Sequence, residues 1–303
     1  MKIEKMNPLG VRLLDFDVSN PGHVDAFAEA FLQHSMVIFN DPNLSDEDHV
    51  MLMDRIGTVA ADRPNGPKVS FLDHNPETFK GFDATRMDPK KFDDGELLFH
   101  FDFAFNDDWP CHAISLYGIE IPETGGDTLF VHGSEAYARL SPELKERVEG
   151  KQAIHIFDPY RTKGSIRTRE ATLGRYPERG MHSVVRAHPG GEGPVLTTAM
   201  SSADRIAGLP AEESEQLLNE LFAVLYDPAH ILRHKWTVGD FVAWDNHVIQ
   251  HSREHFDRRV RRTLRRVING DEAAIQKRVV RWKVQKPAEE DNQVKEMAMD
   301  PAN

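Results

Sequence analysis

Four phenylalanines and two polar groups share the stretch Leu97–Phe105 (Leu-Leu-Phe-His-Phe-Asp-Phe-Ala-Phe), a mixture that few folds can accommodate. Taken as a β-strand, its side chains alternate between two faces. Leu97, Phe99, Phe101, Phe103 and Phe105 then fall on one side; Leu98, His100, Asp102 and Ala104 fall on the other. Four aromatic rings require burial, so the strand belongs deep in a core. His100 and Asp102 become neighbours in apolar surroundings, where an unpaired carboxylate is costly. A metal ion would satisfy both groups. A buried His–Asp hydrogen bond or a metal-free catalytic dyad would do so too.

The rest of the chain supplies the core that such a strand needs. Of 303 residues, 40% are hydrophobic, enough for one large domain, expected over residues 1–284, with a polar tail over 285–303. The 49 acidic against 37 basic residues give a net charge of −12, which argues against nucleic acid or an anionic membrane as partner and leaves a small-molecule substrate. The lone Cys111 excludes an intrachain disulfide. The N-terminus carries no apolar signal core and no run approaches a membrane span, so a soluble, cytoplasmic protein is expected, as a homo-oligomer.

Short strands dominate the periodicity. They are expected at Val11–Phe16, Ser35–Phe39, Ala113–Tyr117, Thr128–Val131, Ala153–Phe157, His182–Ala187, Pro194–Met200, Asp240–Trp244, Val260–Ile268 and Gln276–Val284. Helices are expected over Val24–Gln33, from an N-cap at Ser45 to about Ile56, in two pieces over Ser134–Val148, and over Pro210–Tyr226. Residues 58–95 read as a long irregular loop. Residues 158–182 read as a second one, locally basic, either a lid over an anionic substrate or a solvated surface loop. Many strands, few helices and no repeat favour a mainly β fold with flanking helices, a sandwich or jelly roll.

A third polar group joins the first two at Trp244-Asp-Asn-His-Val-Ile-Gln-His251, which closes an apolar strand. His-x-Asp plus one distant histidine is the spacing of the two-His, one-carboxylate facial triad, which leaves open positions on Fe(II). Zinc hydrolases use similar donors. The other histidines nearby, His230, His234, His247 and His255, read as structural, the first two at helical i, i+4 spacing. Further on, Val260-Arg-Arg-Thr-Leu-Arg-Arg-Val-Ile268 places Arg262 and Arg266 on one apolar face, about 13 Å apart along a strand, as receptors for two anions. Arg261 and Arg265, on the opposite face, read as a solvated basic edge.

Taken together, His100-Phe-Asp102, Thr124-Gly-Gly-Asp-Thr128, Trp244-Asp-Asn…His251 and Arg262 with Arg266 resemble the taurine dioxygenase family of Fe(II)/2-oxoglutarate-dependent oxygenases, in order and in spacing, over roughly residues 10–270. The resemblance implies a double-stranded β-helix, with His100, Asp102 and His251 holding Fe(II). It implies that Thr128 and Arg262 hold the distal carboxylate of 2-oxoglutarate and that Arg266 meets a substrate anion. The implied reaction hydroxylates an unactivated C–H of a small, anionic substrate with O2, releasing succinate and CO2. Asp102 favours hydroxylation, because halogenating relatives carry a small residue there. Glu96 stands where taurine dioxygenase has an asparagine; it is either an exposed residue at a strand start or a group facing a cationic part of the substrate. No counterpart of that enzyme's sulfonate-reading His and Tyr is found, so taurine itself is not expected. The alternatives are a metal-dependent hydrolase on a cupin-like barrel and a non-catalytic, anion-binding jelly roll.

Overall fold

Continuous apolar runs such as Met36-Val-Ile-Phe39 suit a strand buried on both faces rather than on one. That is what the computed structural model shows over its described residues, 1–62, 65–74, 96–106, 108–156, 179–191, 193–257 and 259–276. The strands of the first half are β1 (Lys2–Lys5), β2 (Val11–Leu14), β3 (Met36–Asn40), β4 (Val59–Ala60), β5 (Val69–His74), β6 (Leu97–His100), β7 (Cys111–Glu120) and β8 (Thr128–His132). Those of the second half are β9 (Gln152–Ile156), β10 (Arg179–Ser183), β11 (Val185–Ala187), β12 (Pro194–Leu196), β13 (Ala203–Ile206), β14 (Leu232–His234), β15 (Asp240–Asp245), β16 (Ile249–Arg253) and β17 (Arg262–Gly270). The helices are α1 (Pro21–His34), α2 (Asp46–Asp54), α3 (Gly133–Arg139), α4 (Pro142–Val148) and α5 (Ala211–Leu225).

An eight-stranded sheet runs β1-β2-β3-β15-β7-β17-β4, with β5 also paired along β17. A four-stranded sheet runs β14-β8-β16-β6. Met36, Ile38, Ile114, Trp244, Leu264 and Ile268 of the large sheet meet Phe130 and Ile249 of the small one in a shared core. The large sheet's other face buries Val37, Phe39, Phe241 and Val267 against Phe27 and Phe31 of α1 and Leu52 and Met53 of α2. Two facing, antiparallel-rich sheets with helices outside make the double-stranded β-helix expected from the sequence. Helix α1 begins where Asn20 Oδ1 accepts from Gly22 N and Pro21 presets the first turn; α2 begins where Ser45 Oγ accepts from Asp48 N at 3.0 Å. Among the described residues no helix is long and apolar enough to cross a membrane.

Four expectations need correction. The strand from Leu97 ends at His100 rather than at Phe105. Phe101–Asn106 forms turns closed by Asn106 N to Phe103 O at 3.0 Å, with Phe103 at φ 63°. Leu97 is exposed, while Phe99 and Phe101 are buried. The segment 58–95 is not wholly irregular, since β4 and β5 lie in it and β5 pairs with six residues of β17. His230 sits in a 3-10 turn and His234 on β14, so the two share no helix. Of the lid segment expected over 158–182, residues 179–182 belong to β10 and the rest lie outside the described residues, as do the strand expected from Gln276 beyond its first residue and the tail.

The fourth correction concerns Arg265. Because β17 is an inner strand, flanked by β7 and by β4 and β5, its outward face is covered by helix α2. Arg265 is 4% exposed. It donates to His49 Nδ1 at 3.0 Å and to Leu44 O at 2.8 Å, pairs with Asp46, and lies over the Tyr117 ring. Arg261, by contrast, is exposed and pairs with Glu120. Truncating Arg265 strands His49 and the Leu44 carbonyl in a dry layer. The expected cost of Arg265→Ala is about 3 kcal/mol, read as a fall in the urea midpoint. A midpoint within about 0.5 kcal/mol of wild type would show that this bridge contributes little.

Candidate metal centre

Strand pairing brings the distant polar groups together. His251 of β16 lies directly opposite His100 of β6, and the two ring centroids are 4.1 Å apart. The turn after β6 swings Asp102 to the same place, with Oδ1 3.4 Å from His100 Nε2 and 4.0 Å from His251 Nε2. These three residues offer ligand atoms all within 4.8 Å of one another, a group that can hold a metal ion. His100 is oriented by Nδ1 donating to Leu98 O at 2.7 Å. His251 Nδ1 has no hydrogen-bond partner, and its ring is packed instead by Trp244 at 4.8 Å and Phe130 at 6.4 Å.

The turn that carries Asp102 is held by Asn246, a residue whose role sequence reasoning missed. Its Oδ1 accepts from Asp102 N at 2.9 Å, and its Nδ2 donates to Asp102 O and Cys111 O at 2.9 and 3.0 Å. The only signal was its place in Trp244-Asp-Asn. Burial opposes ionisation of Asp102. The hydrogen bond from His100 and the fields of His251, His100 and Arg266 outweigh it and hold the carboxyl well below the usual range. Burial and the nearby His100 push His251 down to about 3 against the pull of Asp102. At neutral pH His251 is therefore neutral and Asp102 ionised, the forms that bind a metal.

A second cluster lies beside the first. Gly125 and Gly126, at φ 76° and 73°, turn the chain tightly enough for Gly126 N to donate to His255 O at 2.9 Å. A Cβ on Gly125 would sit 2.5 Å from that same carbonyl oxygen, so the turn requires glycine. Gly126 O accepts from Arg262 Nη2 at 3.0 Å, and Thr128 opens β8 just beyond. Thr128 Oγ1 accepts from Trp236 Nε1 at 2.8 Å, which leaves its proton to donate; nothing in the sequence marked Trp236. Arg262 is 3% exposed, its Nε has no partner, and burial draws its pKa down to about 10 despite Asp127. It remains a cation, buried without an ion pair among the described residues. Arg266, on the same face, is already engaged by Asp62, Ser70 and Asp102. Glu96 lies half-buried at the head of β6.

The donor set of two imidazoles and one carboxylate fits Fe(II) with open positions. The orphaned Arg262 donor beside Thr128 fits a carboxylate. The sequence matches the taurine catabolism dioxygenase TauD, TfdA family over residues 2–268. The chain belongs to this family. It is similar to the (S)-phenoxypropionate/alpha-ketoglutarate-dioxygenase of Sphingobium herbicidovorans, 29% identical over 264 residues, covering 84% of this chain and 88% of that one. It is 28% identical over 265 residues to the alpha-ketoglutarate-dependent sulfonate dioxygenase of Saccharomyces cerevisiae, covering 83% of this chain and 62% of that protein. A crystal structure of a taurine dioxygenase from Burkholderia xenovorans superposes with a TM-score of 0.68 at 26% identity, covering 89% and 91% of the two chains. The protein is thus a 2-oxoglutarate-dependent non-haem iron dioxygenase with a jelly-roll fold, of a family that uses Fe(II), 2-oxoglutarate and O2.

One of the histidines read as structural is accessible to a pH test. His247 is buried beside Trp109, His112 and His188, and is pushed down to about 4, by burial first and against the pull of Asp245. The folded value lies below the unfolded value near 6.5, so the unfolded chain binds the extra proton. Stability is therefore lost as pH falls from about 6.5 toward 4. In His247→Gln the urea midpoint should change less across that window than in wild type; identical slopes would remove His247 from the account.

Proposed function

We propose that His100, Asp102 and His251 hold the iron and that Thr128 and Arg262 hold the distal carboxylate of 2-oxoglutarate. The reaction is then hydroxylation of an unactivated C–H of a small organic substrate. The observation that carries this reading is the pairing of the metal-competent cluster with a buried arginine beside Thr128 whose Nε has no hydrogen-bond partner. When bound, iron and 2-oxoglutarate activate O2 for oxidation of the substrate, with release of succinate and CO2.

The chain's own residues do the rest. Neutral His251 and ionised Asp102 present lone pairs rather than protons. Asn246 fixes the backbone that aims Asp102. Thr128 and Arg262 offer a hydroxyl and a guanidinium, donors that grip a carboxylate in a site from which water is largely excluded. Trp244 and Phe130 wall the His251 side with rings that offer it no competing hydrogen bond. The relatives named for phenoxypropionate and sulfonates make organic acids and their neutral analogues the first substrates to try. Anaerobic addition of Fe(II) and 2-oxoglutarate should produce a metal-to-ligand charge-transfer band. Intact protein without that band would sink the assignment.

A further inference from the structure

A hydroxyl carries one proton and two lone pairs, so the group that donates to it limits what it can do next. Thr128 accepts from Trp236, whose indole Nε1 stands 2.8 Å from Oγ1. An indole N–H can only donate. One lone pair of the hydroxyl is therefore taken, and among the described residues no acceptor is found for its proton. Thr128 and Trp236 are 3% and 4% exposed, so bulk water has little access to either.

The placement of Trp236 follows from strand register. His234, the last residue of β14, is paired directly with Thr128, the first of β8. Lys235 is exposed, and Trp236 then turns its indole back to Thr128. Its ring meets His234 edge-on at 4.6 Å and lies in the core that holds Phe130 and Ile249. The chain beyond is fixed by Thr237 N donating to Asp240 Oδ2 at 2.7 Å and Gly239 N donating to Gly118 O at 2.9 Å. A paired strand before the indole and a bonded turn after it hold the ring in one orientation. A second donor lies close by. A Cβ on Gly126, two residues before Thr128, would sit 3.0 Å from Arg262 Nε, the nitrogen without a partner.

We infer that Trp236 is a positioning residue for the cosubstrate: its indole N–H fixes the Thr128 hydroxyl as a donor, so that Thr128 and Arg262 present only donors to the distal carboxylate of 2-oxoglutarate. This assignment rests on the proposed 2-oxoglutarate site. A hydroxyl free to rotate could turn a lone pair toward the carboxylate, where two acceptors would face one another. The bond from Trp236 removes one of the directions open to the proton and polarises the O–H, which makes it a stronger donor. The orientation is set before the ligand arrives, so binding does not have to supply it.

Anaerobic titration of 2-oxoglutarate into the Fe(II)-loaded protein, read by the charge-transfer band, gives the dissociation constant in wild type, Trp236→Phe, Thr128→Val and the double variant. Trp236→Phe should raise it about tenfold, because the hydroxyl is no longer held as a donor. Fe(II) affinity without 2-oxoglutarate should stay within about twofold, since no iron ligand is touched. In the Thr128→Val background the same change should cost less than about twofold, because no hydroxyl is left to orient. Equal losses in both backgrounds would mean that Trp236 only packs the core, and would overturn the inference. So would an unchanged constant in Trp236→Phe. If phenylalanine leaves the core too loose to fold, 3-benzothienylalanine at position 236 keeps the ring shape without the N–H and carries the same expectations. Failure of the underlying reading looks different: wild type then shows no band, or Thr128→Val by itself leaves 2-oxoglutarate binding unchanged.

Discussion

Asp102→Ala is expected to weaken Fe(II) binding by about a hundredfold or more and to lower substrate-dependent succinate release by roughly a thousandfold, with the fold retained. The first half follows from the donor set, since removing the carboxylate leaves two imidazoles and no anionic ligand. The second half follows from Asn246. It bonds the backbone N–H and carbonyl of residue 102, not the side chain, so the turn survives truncation. Arg266 loses one carboxylate and keeps Asp62. Iron content after desalting, succinate release and the far-ultraviolet spectrum read the three parts separately. A variant that retains iron and full turnover would show that Asp102 is not a ligand.

Arg262→Met should separate binding from stability. Losing the guanidinium is expected to weaken 2-oxoglutarate binding by at least about a hundredfold, because a desolvated, charge-assisted contact is removed and the ligand carboxylate left unpaired. The ligand-free protein should nevertheless lose no more than about 1 kcal/mol. Arg262 is a buried cation with an unpaired Nε, drawn down to about 10 by its surroundings, and an apolar chain of similar length suits that space better when no carboxylate is there. A site kept at some cost to the fold is characteristic of binding machinery. Unchanged 2-oxoglutarate affinity in the variant, measured by anaerobic titration of the charge-transfer band, would remove Arg262 from the site.

The two arginine pairs of β17 show where sequence reasoning holds and where it stops. Alternation correctly puts Arg262 and Arg266 on the inter-sheet face and Arg261 and Arg265 on the other. It does not show that β17 is an inner strand with α2 over its outward face, so Arg265 reads as solvated when it is 4% exposed. Nor does it bring Asp62 to Arg266, because that contact depends on β4 pairing at the far end of the same strand. The strand from Leu97 fails for a related reason. Its aromatic pattern is compatible with extension to Phe105, but the side chain of Asn246, distant in sequence, captures the backbone at Asp102 and the strand ends at His100.

The sequence by itself determined the residue types of the metal cluster, their order, the glycine turn before Thr128 and a mainly β fold, since these follow from short-range spacing and side-chain chemistry. Only the tertiary structure decided that His251 stands opposite His100, that Arg262 is buried with its Nε unpartnered, and that Arg266 pairs with Asp62. Those facts depend on strand register and on which side chains cross from one strand to another. Leu97–Phe105 therefore shows that a buried polar pair must be satisfied, while the fold determines what satisfies it.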